Sequence, residues 1–122
     1  MTIDTNKKID IIKYFELNTR SEHNMLECKE AQSGMPKSLW DTYSSFANTN
    51  GGIILLGIKQ IAEADFVVTG VKDPIAMEKD FWSSIANPRT TNRNILSQTD
   101  VQIITDISDK KVIMITVPEA AN

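Results

Sequence analysis

The sequence predicts a single α+β domain with a mixed β-sheet packed with helices. Helix-like and strand-like patterns are interspersed along the 122 residues, as in α+β proteins. The run 53–58 is apolar on both faces and indicates a central strand that is covered on both sides. Two β-branched runs, 101–104 and 112–117, flank the polar segment 108–110 and predict a closing antiparallel hairpin.

The first half of the chain supplies two helices and one strand. Residues 9–17 carry apolar side chains at helical spacing and predict a first helix. Residues 25–29 alternate between apolar and polar, which predicts a half-buried strand with Glu27 and Lys29 on the same face. Residues 36–47 begin with a proline and then repeat large apolar side chains at helical spacing, so a second helix follows.

A glycine-rich turn connects that helix to the central strand. Asn48, Gly51 and Gly52 favour the conformations that end helices and reverse the chain. Gly57 lies inside the apolar run, where a missing side chain permits close approach of another backbone. These four residues are therefore interpreted as structural.

The second half of the chain completes the predicted order of elements. A polar loop over 59–65 leads to a short return strand at 66–68. A third helix begins at Asp73 and Pro74 and ends near Asn87, and residues 89–98 are expected to form an exposed loop.

Composition excludes several classes of protein. Hydrophobic residues make up 41% of the chain and charged residues 24%, values typical of globular proteins and not of disordered ones. Apolar runs are too short for a membrane span, and the start of the chain lacks the pattern of an export signal. The single cysteine, Cys28, fits a reducing compartment, and we expect a cytoplasmic protein. The net charge of −3 means that any nucleic-acid binding must use a local basic surface.

Three segments in this order resemble the Schlafen AlbA domain family, also called the divergent AAA domain. Its pattern is roughly E-S-x-x-L-E-F-K, then a helix ending F-A-N-T-x-G-G, then an apolar strand ending L-G-V. The matching segments are 22–29, 35–42 and 45–58, of which 45–58 is the most specific, with further family positions at 69–74 and 115–118.

This resemblance divides the chain and implies its fold. Residues 1–20 are expected to form an N-terminal helix and 21–118 the Schlafen AlbA-like domain, with a fold similar to that of the Alba chromatin proteins. Residues 119–122 are interpreted as a tail that continues into a longer protein. Domains of this family commonly precede a winged-helix or helix-turn-helix region in bacterial and archaeal transcriptional regulators, which implies nucleic-acid binding, with DNA favoured over RNA.

Some eukaryotic relatives cleave RNA with acidic residues of this domain, so Glu22 and Glu27 are candidate catalytic residues by resemblance. Carboxylates at these positions are able to hold a divalent metal that activates water. The third family acid is replaced by Lys59-Gln60, and Asp65 is the remaining candidate. The alternative is that Glu22 caps a turn and Glu27 pairs with Lys29 or an arginine.

Some family members are described as ATP-binding, but this chain contains no ATP-binding motif. The chain lacks G-x-x-x-x-G-K-[ST], and Gly51-Gly52 is followed by Ile53 and not by the lysine and hydroxyl that phosphate and magnesium need. No cofactor is therefore predicted, although the resemblance keeps ATP and a divalent metal as possibilities.

Basic residues supply the candidate nucleic-acid contacts. Arg89 and Arg93 lie in an acid-free window, in the kind of extended loop that Alba-like folds use on nucleic acid. Lys29, Lys37 and Lys59 are candidates to extend this surface. The alternative is an ordinary solvated loop, because charged loops are common in proteins without such a function.

The sequence thus favours a non-enzymatic, DNA-binding domain that contacts phosphates. Two alternatives remain open. One is a metal-dependent endoribonuclease that uses Glu22 and Glu27. The other is a dimerisation or protein-interaction module, with the nucleic-acid contacts elsewhere in a longer protein.

Overall fold

The computed structural model describes residues 6–19, 26–32, 34–87 and 94–120. These residues form seven strands, three α-helices and two 3₁₀ turns. The strands are β1 (Lys8–Ile9), β2 (Leu26–Lys29), β3 (Gly52–Leu56), β4 (Ile58–Ala62), β5 (Asp65–Val68), β6 (Val101–Asp106) and β7 (Lys111–Val117). The helices are α1 (Ile11–Phe15), α2 (Leu39–Ala47) and α3 (Pro74–Ile85), with the 3₁₀ turns at Leu17–Thr19 and Gln98–Asp100.

Five strands form one mixed sheet in the order β1-β6-β7-β3-β2. β2 pairs with β3 and β1 with β6 in parallel, whereas β7 pairs antiparallel with both β3 and β6. The predicted closing hairpin is therefore confirmed as β6–β7. β3 lies between β2 and β7, which confirms an internal strand for residues 53–56 of the apolar run. The run does not continue as one strand to 58, because the chain turns at Gly57 and Ile58 begins β4 in the second sheet.

Both faces of this sheet are covered, and each carries its own hydrophobic cluster. α2 and α3 pack on one face against Ile54 and Leu56 of β3. α1 and the β4–β5 pair pack on the other face, against Leu55 of β3. These three β3 side chains are fully buried, and each burial contributes about 1.5–3 kcal/mol before entropy is counted. The α+β class predicted from the sequence is confirmed.

The turn after α2 depends on glycine at position 51. Gly51 has a φ of +79°, and its N–H donates to the Phe46 carbonyl oxygen. A Cβ at this position would lie 2.6 Å from the Val117 carbonyl oxygen, closer than van der Waals contact permits. The turn therefore delivers the chain directly into β3 at the place where β7 ends.

The segment from 59 to 65 differs from the predicted polar loop. Residues Ile58–Ala62 form β4, which pairs antiparallel with β5 and has a register shift between Gln60 and Ala62. The sequence missed this strand because only Ile58 is buried, so its remaining side chains show no apolar alternation.

Two helices are shorter than predicted. α1 stops at Phe15 because Glu16 adopts a left-handed conformation with a φ of +56°. α2 begins at Leu39 and not at Pro36, because the intervening residues form a turn that leads into the helix. The loop predicted for residues 89–98 lies partly outside the described residues, and its last residue, Gln98, begins the 3₁₀ turn Gln98–Asp100.

We expect Gly51→Ala to lower the free energy of unfolding by about 2–3 kcal/mol, because alanine meets both an unfavourable φ and the Val117 carbonyl. Chemical denaturation measures the change. The neighbouring Asn50→Ala substitution is the control: Asn50 is exposed, so its effect should stay within about 0.5 kcal/mol. Equal losses for the two variants would contradict this account of the turn.

Candidate nucleic-acid interface

A concave pocket of about 380 Å³ lies at the end of the sheet where β2 and β3 finish and β7 begins. We call it the basic pocket. It is lined by Gln32, Thr69, Gly70, Val71, Lys72, Pro74, Asp109, Lys110 and Lys111. It brings together three chain segments: the residues after β2, the connection from β5 to α3, and the β6–β7 turn.

Backbone hydrogen bonds fix these segments relative to one another. The N–H groups of Thr69 and Gly70 both donate to the carbonyl oxygen of Gly57, at 2.9 Å each. The N–H of Val71 donates to the carbonyl oxygen of Lys111 at 2.8 Å. The connection from β5 to α3 is therefore held across the ends of β3 and β7, beside the lysines of the β6–β7 turn.

Gly70 keeps the pocket open next to Lys110. Its φ is +79°, and a Cβ there would lie 3.0 Å from the Cβ of Lys110. Glycine is thus required both for the backbone conformation and for the close packing of these two segments.

The lining of the basic pocket is positively charged, unlike the whole chain. Three lysines against one aspartate leave a net charge of +2, whereas the complete sequence carries −3. The aspartate, Asp109, is ion-paired with Lys8. The hydrogen bond and the charge of Lys8, with a further contribution from Lys111, lower the pKa of Asp109. Lys8 already pairs with Asp109, and Lys111 Nζ donates to Thr105 Oγ1, so among the described residues Lys72 and Lys110 are the lining lysines best placed to attract an external anion.

The Thr69 hydroxyl adds a polar group without a partner. Its oxygen is buried and makes no hydrogen bond within the part of the chain that the structure describes. An unsatisfied buried hydroxyl costs about 1–3 kcal/mol relative to a satisfied one.

Asp106 holds the β6–β7 turn against α1. Its carboxylate is 5% exposed and accepts hydrogen bonds from the Ile11 N–H and from the N–H and hydroxyl of Ser108. Burial raises the pKa of Asp106, but hydrogen bonds from Ser108, Ile11 and Ile107 outweigh burial, so the pKa is lowered from its ordinary value of 3.8. The ionised carboxylate therefore orders the turn that carries Lys110.

The structure does not assemble the predicted acidic site among the described residues. Glu27 shares a sheet face with Ile54, on the side of α2 and α3, and its Oε1 lies 3.9 Å from Lys29 Nζ. Asp65 is exposed at the start of β5, in the layer on the opposite side of the sheet. Glu22 lies outside the described residues. No group of three potential metal ligands occurs within 6–19, 26–32, 34–87 and 94–120.

The three predicted basic residues that the structure describes, Lys29, Lys37 and Lys59, do not form one surface. Lys29 is largely buried, with only 12% of its side chain exposed, and its Nζ donates to Ser38 Oγ at 3.0 Å. Lys37 is exposed before α2, whereas Lys59 is exposed on β4 across the sheet. Arg89 and Arg93 lie outside the described residues. All five residues therefore stay predictions, with the ammonium group of Lys29 bonded to Ser38.

The residues predicted to be structural have identifiable positions. Asn48 caps the end of α2, and its N–H donates to the Ser44 carbonyl oxygen. Gly52 lies against the Phe46 ring, where a Cβ would meet ring carbons at 2.6 Å. Gly57, with a φ of +111°, ends β3 and accepts the two hydrogen bonds that fix the basic pocket.

Sequence reasoning missed the residues of the basic pocket. Lys72 and Lys110 are far apart along the chain, Lys72 has no basic neighbour, and Lys110 has only Lys111 beside it. The available signal was the segment Thr69–Pro74, which matches family positions and combines a hydroxyl, a glycine and a lysine. Its meeting with the β6–β7 turn depends on hydrogen bonds to Gly57 and Lys111 that no local pattern encodes.

A second, larger concavity of about 840 Å³ lies between α1, β5 and the β6–β7 turn. Its walls include the exposed apolar side chains of Val67 and Ile107, together with charged residues of both signs such as Lys13 and Glu16. Lys110 lines both concavities. This groove is mainly apolar and mixed in charge, so it is a poorer match to an anion than the basic pocket.

The chain belongs to the Schlafen AlbA_2 family, because the model of that family matches residues 22–122. This match confirms the resemblance found in the sequence. It spans β2 to β7 and so includes every segment that lines the basic pocket.

A solved structure shares both the fold and part of the sequence. It is the solution NMR structure of the N-terminal domain of a protein from Nitrosomonas europaea. That protein is named as related to RecG, an ATP-dependent DNA helicase. The two are 31% identical with a TM-score of 0.68, over 88% of this chain and 71% of the other.

Comparison with curated protein sequences gives no significant match. Across the described residues, no helix has both the length and the apolar character needed to span a membrane.

The hydrogen bonds of Asp106 predict a dependence of stability on pH. Because the folded pKa lies below 3.8, the ionised carboxylate contributes fully above about pH 4, and this contribution is lost as the pH falls through the folded pKa. Asp106→Asn should lower the free energy of unfolding at pH 7 by about 1–3 kcal/mol and flatten its decline between pH 5 and 3.

Urea denaturation across this pH range measures both effects. Asp65→Asn serves as the control because Asp65 is exposed, and its pH profile should follow that of the wild type. A wild-type decline that persists unchanged in Asp106→Asn would show that other carboxyls cause it.

Proposed function

We propose that this domain binds nucleic acid through phosphate contacts, with DNA preferred over RNA, within a transcriptional regulator or another DNA-acting protein. The basic pocket is the observation that carries the proposal. It concentrates three lysines on a chain whose net charge is negative, so attraction for a polyanion is local.

Relatives support the choice of nucleic acid as the partner. Membership of the Schlafen AlbA_2 family implies nucleic-acid binding, as the resemblance in the sequence did, and the similar solved domain comes from a protein named as related to a DNA helicase. The same lysines would serve DNA or RNA, because phosphate contacts carry no base information. The preference for DNA rests on these relatives.

The proposed contacts are electrostatic and independent of base sequence. Lysine ammonium groups donate to phosphate oxygens and release condensed counterions from the nucleic acid. The described pocket is too small to admit a base-reading helix, so sequence selectivity would have to come from other segments. Binding through the pocket is therefore expected to weaken steeply with salt.

Cleavage of RNA receives less support than binding. Glu27 is near Lys29, which favours the ion-pair interpretation of this residue, and Asp65 belongs to another layer of the fold. An assay for shortening of labelled RNA, with and without Mg²⁺, tests the nuclease alternative directly. Measurement of molecular mass in solution tests the dimerisation alternative, for which self-association without nucleic-acid binding is the expected result.

Lys72→Gln combined with Lys110→Gln should weaken binding to all DNA sequences equally. Each lost phosphate contact reduces the slope of log K against log salt by about 0.9, so the double variant should lose a slope of about 2. Fluorescence anisotropy at several salt concentrations measures this slope.

The matched control is Lys13→Gln combined with Lys79→Gln, which removes the same charge from exposed positions on α1 and α3. Its slope should remain close to that of the wild type. Equal slopes for the two double variants would show that the basic pocket does not contact phosphate.

Arg89→Ala combined with Arg93→Ala tests the loop predicted from the sequence. If the two guanidiniums contact phosphates, affinity falls on every sequence and the salt slope decreases by about 2. The same anisotropy titration applies. An unchanged slope would reject the loop as a contact while leaving the basic pocket in place.

A further inference from the structure

We propose that the basic pocket holds a terminal phosphate group of a nucleic-acid strand, and so prefers a phosphorylated strand end to an internal phosphodiester. This inference rests on the proposed function and names the part of the nucleic acid that the pocket takes. It is carried by three features of the pocket: its shape, its charge and its unpaired hydroxyl.

The shape of the pocket suits a strand end. Its volume of about 380 Å³ is at the small end of ligand pockets, and the hydrogen-bonded segment 69–71 forms part of its wall. An internal phosphate continues into sugars on both sides and needs an open channel through the site. A terminal phosphate needs only one exit.

The charge of the lining matches a phosphate monoester. Three lysines and one aspartate give a net charge of +2, and a terminal phosphate carries about −1.5 to −2 at neutral pH. An internal phosphodiester carries only one negative charge. The terminal group therefore neutralises the pocket more completely.

The donors of the pocket match the three free oxygens of a terminal phosphate. Thr69 lines the pocket and carries a buried hydroxyl that has no described partner, and Lys72 and Lys110 are exposed lining residues that each carry an ammonium group. Lys111 also lines the pocket, but its Nζ donates to Thr105 Oγ1 at 2.8 Å. Thr69, Lys72 and Lys110 are thus the recognition residues that we infer.

Backbone donors contribute less here than in a glycine-rich phosphate loop. The N–H groups of Thr69, Gly70 and Val71 are already bonded to the carbonyl oxygens of Gly57 and Lys111. Recognition must therefore come from side chains, which makes it sensitive to single side-chain substitutions that leave the backbone unchanged.

The test compares one single-stranded DNA oligonucleotide in three forms: with a 5′-phosphate, with a 3′-phosphate, and with hydroxyls at both ends. A fluorophore is placed at the middle of each strand, and affinities are measured by anisotropy at constant salt. At least one phosphorylated form should bind about tenfold more tightly than the hydroxyl form, as one or two charge-assisted hydrogen bonds predict.

Thr69→Val removes the hydroxyl and nearly keeps the shape of the side chain. It should abolish most of the preference for a phosphorylated end, while the melting temperature stays unchanged or rises because a buried unpaired oxygen has been removed. Lys72→Gln provides a second variant on the surface, where folding is not at risk, and should reduce the preference in the same way. Lys79→Gln is the matched control and should retain the wild-type preference.

The outcomes separate this inference from the proposed function. Equal, salt-sensitive binding of all three forms would overturn the inference and leave nucleic-acid binding intact. Absence of binding to every form would overturn both. Competition by a nucleoside monophosphate or inorganic phosphate that matches the phosphorylated strand in affinity would overturn the assignment to a strand end and identify a free phosphate compound as the ligand.

Discussion

The fold depends on one strand that is buried from both sides. Ile54, Leu55 and Leu56 alternate between the two hydrophobic clusters, and none of them is exposed to solvent. Such a strand requires neighbours on both edges and layers on both faces, and β2, β7, the helices and the β4–β5 pair supply them. The strand also has to end abruptly, because the chain must leave the sheet to build one of the layers that cover it. Gly57 provides that end with a backbone conformation that favours glycine.

The same glycine determines where the charged residues of the pocket lie. Its carbonyl oxygen accepts hydrogen bonds from the N–H groups of Thr69 and Gly70. The start of β4 and the chain that leaves β5 are therefore held together at Gly57. Val71 then bonds to the first residue of β7, which places the β5–α3 connection beside the β6–β7 turn. The positions of the pocket lysines thus follow from how the sheet ends. Asp106 also orders the β6–β7 turn, because its carboxylate accepts hydrogen bonds from Ser108 in the turn and from Ile11 in α1.

The sequence was sufficient for those features that depend on local pattern. The apolar run at β3, the hairpin β6–β7, and the cap of α3 by Asp73, whose carboxylate accepts from the Ala76 N–H, each follow from the residues involved. The strand β4 was missed because its exposed face resembles a loop in sequence. The basic pocket was missed for a different reason: it joins segments that meet only through long-range hydrogen bonds, and neither Lys72 nor Lys110 stands out among the other lysines. Lys29 shows the converse case, since alternation indicated an available cation but packing placed its ammonium group against Ser38.

The acidic character of the chain bears on how selective a phosphate site must be. A uniformly basic domain attracts any polyanion over its whole surface, so most of its affinity is non-specific and is shared by all phosphates along a strand. Here the net charge of −3 opposes such general attraction, so a strand gains where its phosphates meet local basic groups such as the lining of the basic pocket. Acidic groups elsewhere on the surface repel the phosphates of a long strand that lies across it. A short contact at a strand end therefore loses less binding free energy to this repulsion than a continuous contact does. This balance between a repelling surface and a small attracting concavity supports the proposal that the basic pocket takes a strand end.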